Sequence, residues 1–101
     1  MSRWRRRVDL NHASIRSDLR RLGYSVWDCS RHGDGFPDLL LRVGESIVLL
    51  EVKSPGEKLT AHEEAFAALF PVHIVHDITE AVMVLEEIAG QHPRRQSRQS
   101  A

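Results

Sequence analysis

The sequence predicts an α/β fold, a mixed four-stranded sheet flanked by helices in the order αβββαβα. The first observation is a pair of branched apolar runs, residues 39–41 and 47–50, which flank a short turn and are typical of an antiparallel hairpin. The second is the helical spacing of apolar residues before and after this hairpin. The third is a strand–helix–strand segment, whose right-handed connection should place the last strand parallel to the second hairpin strand.

The first helix is predicted to begin at Asn11, a good N-cap residue, and to end at Gly23. Its apolar face consists of Ile15, Leu19 and Leu22, and arginines lie on the other faces. We expect this helix to lie on the sheet and to present its basic side to solvent or DNA. A solvated helix face explains each single arginine equally well.

The first strand is predicted over residues 24–29, where apolar and polar residues alternate. The loop that follows contains Gly33, Asp34 and Gly35, which favour a turn that another backbone can approach closely. Pro37 is expected to open the second strand, where a missing N–H is tolerated.

The second helix follows a loop rich in helix breakers, with Thr60 as its cap and Glu63 completing a capping box. Pro71 ends this helix, and residues 72–76 are predicted to form the last strand. The apolar stripe of the helix is predicted to be core and consists of Ala65, Phe66, Leu69 and Phe70.

The final helix is expected to begin at Thr79 and to end at Gly90, and a basic, disordered tail covers residues 91–101. Residues 1–90 are predicted to form one domain, because a chain of this length supports a single modest core. The inward-facing residues of the final helix are Ala81, Val82, Val84, Leu85 and Ile88.

Composition excludes several classes of protein. No apolar run approaches the roughly 20 residues that span a bilayer, and the arginine-rich start lacks the apolar stretch of a signal peptide. We therefore expect a cytoplasmic protein without a membrane partner. The single cysteine, Cys29, cannot form an internal disulfide, and no Cys or His spacing predicts a zinc site.

The formal net charge is zero, but the charges are unevenly distributed. Residues 1–31 carry eight arginines against three aspartates, whereas residues 32–90 carry three basic against eleven acidic side chains. The last eleven residues add three arginines. Basic ends are able to contact phosphate, whereas an acidic centre repels DNA until a cation binds there. Solvated tails are the competing explanation for the basic ends.

The hairpin places two carboxylates opposite each other. If Arg42 pairs with Ile47 across the turn, the register continues to the ends of both strands. Asp38 then falls opposite Glu51, with Cβ atoms roughly 4.5–5.5 Å apart. Lys53 points to the same side as Glu51, because side chains alternate along a strand. Aliphatic residues surround this group, and burying unpaired carboxylates is costly unless a cation such as Mg²⁺ offsets them.

Pro-Asp at residues 37–38, followed on the next strand by Glu-Val-Lys at residues 51–53, resembles the PD-(D/E)XK nuclease superfamily. Three further features are similar to its small stand-alone VRR-NUC type, known from phage proteins that resemble Holliday-junction resolvases. They are the glycines before the Pro-Asp, Lys-Leu-Thr at residues 58–60, and the helix that contains Glu63. The resemblance spans residues 9–85.

The resemblance implies a restriction-endonuclease-like core and a metal-dependent endonuclease that hydrolyses DNA. It implies branched DNA such as a four-way junction as the substrate, and a homodimer as the acting form. Asp38, Glu51 and the Val52 carbonyl would hold Mg²⁺, for which Mn²⁺ is a possible substitute. Lys53 would orient the attacking water or stabilise developing negative charge.

Supporting roles fall to residues near the helix entrances. Asn11, His12 and Glu63 are implied to support the metal or its water, and His12 stands where the family carries an acidic or amide residue. Glu63 is also explained completely by the capping box. The candidate DNA contacts, taken from the basic helix, loops and N-terminus, are Arg5, Arg6, Arg7, Arg16, Arg20, Arg31 and Lys58.

Three other interpretations stay open at the level of sequence. Asp38, Glu51 and Lys53 could form a cross-strand salt-bridge cluster with no catalytic role. The chain could also be a DNA-binding or scaffold module that kept the fold and lost catalysis. Its small size is equally compatible with a nuclease subunit of a larger repair or restriction complex.

Overall fold

Within residues 3–91, three helices and four strands follow one another in the predicted order αβββαβα. The computed structural model describes residues 3–91, and their side chains from Asn11 onward. The helices are α1 (Arg3–Arg21), α2 (Ala61–Leu69) and α3 (Ile78–Gln91), and the strands are β1 (Ser25–Asp28), β2 (Leu39–Val43), β3 (Ser46–Val52) and β4 (His73–Val75). The α/β class and the mixed four-stranded sheet are thus confirmed.

The strands form one sheet in the order β1-β2-β3-β4. β2 is antiparallel to both β1 and β3, whereas β3 and β4 are parallel as predicted. Arg42 pairs with Ile47, which confirms the predicted register. Gly44 occupies the first turn position with a φ of +62°, a conformation that a type II′ hairpin turn requires and that glycine adopts without steric cost.

The core lies on one face of the sheet. Alternate residues of β2 and β3 point to this face, and α1 and α3 pack against it. The partly buried Val82, Val84 and Ile88 adjoin this core, which confirms the inward face predicted for α3. The buried apolar residues are Ile15, Leu19, Leu39, Leu41, Val48, Leu50, Val52, Val75, Ala81 and Leu85.

Helix α1 begins at Arg3, so the prediction of Asn11 as its N-cap is wrong. No glycine or proline interrupts residues 3–21, and the helix therefore continues through Asn11. The Asn11 amide instead donates a hydrogen bond to the His76 carbonyl (3.2 Å). This bond ties α1 to the end of β4.

The C-terminal end of α1 is closed by Gly23, as predicted. Gly23 has a φ of +102°, and its N–H bonds the Arg20 carbonyl at 3.0 Å. The Tyr24 N–H bonds the Leu19 carbonyl at 3.1 Å, and the two bonds together form a Schellman motif. Leu22, predicted to extend the apolar face, is 60% exposed because it lies past the last helical residue.

Helix α2 begins as predicted. Thr60 Oγ1 accepts a hydrogen bond from the Glu63 N–H (3.2 Å), and Glu63 Oε1 accepts one from the Thr60 N–H (2.8 Å). These reciprocal bonds confirm the capping box.

The apolar stripe of α2 does not join the core, so that prediction is wrong. No residue of α2 is buried, and Leu69 and Phe70 are 77% and 50% exposed. The core forms on the sheet face that α1 and α3 cover, and α2 lies outside it. Phe66 packs edge-on against Phe36 at a centroid distance of 5.2 Å, which links α2 to the loop before β2.

Helix α3 starts at Ile78 and continues through Gly90 to Gln91, so the predicted stop at Gly90 is wrong. A glycine weakens a helix without necessarily ending it. Beyond Gln91 the predicted disordered tail lies outside the described residues. Among residues 3–91, no helix is long and apolar enough to cross a membrane.

Candidate active site

An open pocket of about 860 Å³ lies at one end of the sheet. β1 ends beside the start of β2, because Asp28 pairs with Leu39. β3 ends there too, because Leu39 also pairs with Leu50. Helix α1, the loop after β3 and the start of α2 supply the remaining walls.

Asp38 is held at the start of β2 by both neighbouring strands. Pro37 is fully buried, and β2 begins at Leu39 rather than at Pro37 as predicted. The Asp38 carbonyl accepts a hydrogen bond from the Cys29 N–H (2.7 Å), and its Oδ2 accepts one from the Val52 N–H (2.9 Å). The Asp38 carboxyl group therefore lies against the end of β3.

Glu51 and Lys53 are buried, at 4% and 5% exposure, although both side chains are ionisable. The Lys53 Nζ lies 2.7 Å from Glu63 Oε1, 3.5 Å from Glu57 Oε2 and 3.6 Å from Glu51 Oε2. The shortest contact of Lys53 is thus with Glu63. Together with Asp38, four carboxyl groups share this part of the pocket with one ammonium group.

Two of these carboxyl groups, Asp38 and Glu51, hold their protons more tightly than usual. Burial, followed by the charges of Asp38 and Glu63, raises the pKa of Glu51 to about 9. Burial also raises the pKa of Asp38, although the Val52 N–H lowers it in part. Without a cation, Glu51 is therefore protonated at neutral pH.

Lys53 and Glu63 form the charged pair of the pocket. Burial works to raise the pKa of Glu63, but the hydrogen bonds from Lys53 and from the Thr60 N–H outweigh it, so that pKa is lowered. Burial works to lower the pKa of Lys53. The hydrogen bond and the charge of Glu63, together with the charges of Glu51 and Glu57, outweigh burial, and the pKa of Lys53 is therefore raised. Lys53 stays protonated and is a fixed positive charge.

The start of α2 reaches Lys53 because the loop before β2 lets it approach. Gly35 has a φ of +82°, and a Cβ at this position would clash with the His62 carbonyl of α2. This confirms the predicted close approach of another backbone. Glu63 Oε1 consequently accepts hydrogen bonds from both the Thr60 N–H and the Lys53 ammonium.

On the α1 side of the pocket, Arg16 and His12 face the carboxylate of Asp28. Arg16 Nη1 pairs with Asp28 Oδ2, and Asp28 Oδ1 accepts hydrogen bonds from the Ser30 N–H (2.9 Å) and the Ser30 hydroxyl (2.6 Å). Burial works to raise the pKa of Asp28, but the bonds from Ser30 and Arg16 outweigh it and lower the pKa to about 2. His12 Nε2 lies 4.0 Å from Asp28 Oδ1. Asp28 is therefore an ionised anchor between α1 and β1.

Most of the residues predicted for the site meet in this pocket. Asn11 bonds the His76 carbonyl and Arg20 bonds the Val26 carbonyl (2.9 Å), and neither lines the pocket. Lys58 is exposed in the loop after β3. The predicted residues that line the pocket are His12, Arg16, Arg31, Asp38, Glu51, Val52, Lys53 and Glu63. The side chains of Arg5, Arg6 and Arg7 lie outside the described residues.

Sequence reasoning missed three polar residues of the pocket, Asp28, Ser30 and Glu57. Asp28 is the last residue of β1, and the end of an antiparallel strand lies beside the start of the next one. That rule alone would have placed it near the Pro-Asp at residues 37–38. The Glu57 side chain accepts a hydrogen bond from the Ser54 N–H (2.8 Å), and no pattern in the sequence indicated this bond.

The carboxyl pair suits a hard divalent cation. Within the part of the chain that the structure describes, no group of three or more His, Cys, Asp or Glu side chains is arranged to hold a metal ion. Mg²⁺ keeps several waters, however, and is usually bound through one or two carboxylates. Asp38 and Glu51 supply two carboxyl groups. Their raised pKa values mean that a positive charge beside these groups is favourable. This donor set therefore fits Mg²⁺.

No protein-family model matches this chain, and neither a curated protein nor a solved structure matches it. The functional interpretation therefore depends on the residues and on the geometry of the pocket.

Proposed function

We propose that this chain is a metal-dependent endonuclease that hydrolyses DNA phosphodiester bonds, with a restriction-endonuclease-like core of the PD-(D/E)XK, VRR-NUC type. One observation carries the proposal: Asp38 and Glu51 are adjacent carboxyl groups with raised pKa values beside the buried Lys53. DNA hydrolysis at such a site needs a divalent cation and a neighbouring positive charge. Asp38 and Glu51 would hold the cation, and Lys53 would supply the positive charge.

Five residues of the pocket have distinct roles in this proposal. Asp38, Glu51 and the Val52 carbonyl would hold Mg²⁺, with Mn²⁺ as a substitute. The bound cation supplies a water of lowered pKa and neutralises charge on the phosphate. Lys53, held by Glu63, stabilises negative charge as it develops on the phosphate. The neighbouring carboxylates raise the pKa of Lys53, so it carries a positive charge in the cation-free pocket.

A purely structural salt-bridge cluster explains the pocket less well. Such a cluster would pair Lys53 with Glu51, but the Lys53 Nζ lies 2.7 Å from Glu63 and 3.6 Å from Glu51. The Lys53 charge is engaged mainly by Glu63, and Asp38 and Glu51 keep their raised pKa values. Lys53 is shared among Glu51, Glu57 and Glu63, so it offsets the buried Glu51 only in part. Ionisable groups with strongly shifted pKa values are concentrated at functional sites.

The arginines of the pocket support DNA as the substrate, because Arg16 and Arg31 line it together with the carboxyl groups. We propose branched DNA, such as a four-way junction, as the preferred substrate. Paired nicks on a junction need two active sites, so we propose a homodimer in which each copy supplies one Asp38–Glu51–Lys53 site.

The test is cleavage of a labelled four-way junction, with flap, linear duplex and single-stranded DNA as comparisons. Each substrate is incubated with Mg²⁺, with Mn²⁺ or with EDTA, using the parent protein and Asp38→Ala. Glu45→Gln is the matched control, because Glu45 is an exposed carboxylate in the hairpin turn, away from the pocket.

Symmetric nicks on the junction that EDTA and Asp38→Ala abolish, and that Glu45→Gln leaves intact, would support the proposal in full. Cleavage of flaps or linear DNA would keep the nuclease and reject the junction preference. Binding of DNA without cleavage under either metal would reject the nuclease, and a DNA-binding module or a subunit that needs partners would take its place.

A further inference from the structure

Among the described residues, two buried polar atoms on the α1 side of the pocket have no hydrogen-bond partner, His12 Nε2 and Arg16 Nε. The nearest anion to His12 Nε2 is Asp28 Oδ1, at 4.0 Å, which is beyond hydrogen-bond distance. A buried polar atom without a partner is rare in proteins and calls for an explanation, such as a bound water or ion. Both atoms belong to residues that line the same pocket.

Helix geometry and a fixed anchor bring the two groups together. Residues four apart lie on the same helix face, so His12 and Arg16 are neighbours on α1. Asp28 engages Arg16 through Nη1 alone, and the two hydrogen bonds from Ser30 hold the Asp28 carboxylate in place. Arg16 is thus oriented by one end of its guanidinium group, while its buried Nε–H has no partner in residues 11–91.

We propose that His12 and Arg16, with Arg31 at the rim, form an anion subsite that binds the oxygens of a phosphate group. An arginine Nε–H beside an imidazole N–H is a donor pair suited to phosphoryl oxygens. The imidazole contributes in the tautomer that carries Nε2–H, and Arg31 is exposed and adds a second guanidinium charge. The subsite rests on the proposed nuclease function, because its ligand would be a DNA phosphate next to the phosphate that is hydrolysed.

The acidic side of the pocket sets the order of binding. Glu57 and Glu63 outnumber Lys53 even when Asp38 and Glu51 carry protons, so this side of the pocket repels phosphate until a divalent cation is present. We therefore expect the subsite to bind phosphate much more tightly with Mg²⁺ than with EDTA.

Two-dimensional ¹H–¹⁵N NMR tests the subsite directly, because arginine Nε–H groups give their own signals. Inorganic phosphate is added to the full chain with Mg²⁺, and the Arg16 signal is identified by its loss in Arg16→Lys, which keeps the positive charge near Asp28. The matched reference is Arg21, a 75% exposed arginine of α1 that pairs with Asp18 outside the pocket. We expect a saturable shift of the Arg16 signal and about tenfold weaker phosphate binding in Arg16→Lys.

A second variant and two oligonucleotides complete the test. His12→Phe keeps an aromatic ring without a donor and should also weaken phosphate binding, about tenfold. Two oligonucleotides of the same sequence, one without terminal phosphates and one with a 5′-phosphate, distinguish an internal phosphodiester from a terminal phosphate as the ligand. A shift of Arg16 with both points to an internal phosphodiester, and a shift with the second alone points to a terminal phosphate.

The subsite is overturned if the Arg16 and Arg21 signals move alike, or if neither moves. This outcome is independent of the cleavage assay. A shift of Arg16 in a protein that cuts no DNA would keep the subsite and reject the nuclease. Cleavage without any shift of Arg16 would keep the nuclease and reject the subsite.

Discussion

Replacing Glu51 with glutamine should stabilise the cation-free protein while it abolishes cleavage. Glu51 is 4% exposed, and its pKa is raised to about 9 by burial and by the charges of Asp38 and Glu63. Glutamine has nearly the same shape as a protonated glutamate and does not ionise. It therefore removes the cost of keeping a proton on this side chain at neutral pH.

The size of the effect follows from proton linkage. The unfolded chain loses the Glu51 proton near pH 4.5, whereas the folded protein keeps it up to about pH 9. Between these values the folded state binds more protons, so its stability falls by about 1.4 kcal/mol for each unit of rising pH. The accumulated loss is about 2 kcal/mol at pH 6, about 3 kcal/mol at pH 7 and about 5 kcal/mol at pH 8. Glu51→Gln should recover amounts of this order.

Urea denaturation in EDTA, followed by circular dichroism at about pH 6, 7 and 8, measures the free energy of unfolding for parent and variant. The control is Glu45→Gln, an exposed position in the hairpin turn, where the change should stay within about 0.5 kcal/mol. Mg²⁺ should then stabilise the parent and release a proton on binding, because Glu51 must ionise to act as a ligand. It should stabilise Glu51→Gln much less.

Two outcomes would refute this reasoning. If Glu51→Gln destabilises the protein in EDTA, the Glu51 carboxyl group makes net favourable interactions and is not a strained ligand. If the stability difference between parent and variant does not grow from pH 6 to pH 8, about 1.4 kcal/mol per unit, the pKa of Glu51 is not raised as the pocket geometry implies.

Three further predictions address the other parts of the pocket. Lys53→Met should reduce single-turnover cleavage by about 100-fold or more, because it removes the positive charge nearest the carboxyl groups, and it should also lower stability by about 3 kcal/mol. A variant that cleaves at the parent's rate would remove Lys53 from the mechanism. Asp28→Asn should lose about 2 kcal/mol of stability at neutral pH, because the folded pKa of about 2 lies below the ordinary value of 3.8. Asp28 stabilises the fold above pH 3.8 and loses this effect as the pH falls to about 2. In acid denaturation, the stabilities of parent and variant should therefore converge near pH 2. Stability curves that stay parallel would contradict the ion pair with α1. Gly35→Ala should destabilise the protein more than Gly33→Ala, because both glycines have a positive φ but only Gly35 lies against the α2 backbone. Equal losses in urea denaturation would mean that backbone strain, and not this close approach, explains the effect.

Local patterns in the sequence determined the elements and the centre of the site. The alternation of branched apolar residues on both sides of Gly44 determined the hairpin register, because a shift of one residue would turn every core side chain to the other face. That register put Asp38 beside Glu51 without any knowledge of the fold. The capping box at Thr60 and Glu63 was readable for the same reason, since both partners lie within one helical turn.

The tertiary structure alone decided what depends on distant segments. The hydrogen bond from Asn11 to the His76 carbonyl joins residues 65 apart in the chain. Local sequence therefore predicted a helix cap at Asn11, whereas in the structure this side chain connects α1 to the end of β4. Phe70 belongs to a helical apolar pattern that predicts burial, yet it is half exposed, because periodicity identifies an apolar face and not the surface that covers it. The engagement of Lys53 by Glu63 likewise required the position of α2 relative to β3. The sequence by itself determined which groups carry the proposed chemistry. Only the packing of α1 and α2 around the sheet decided which charges surround these groups, because the surrounding charges come from segments far apart in the chain.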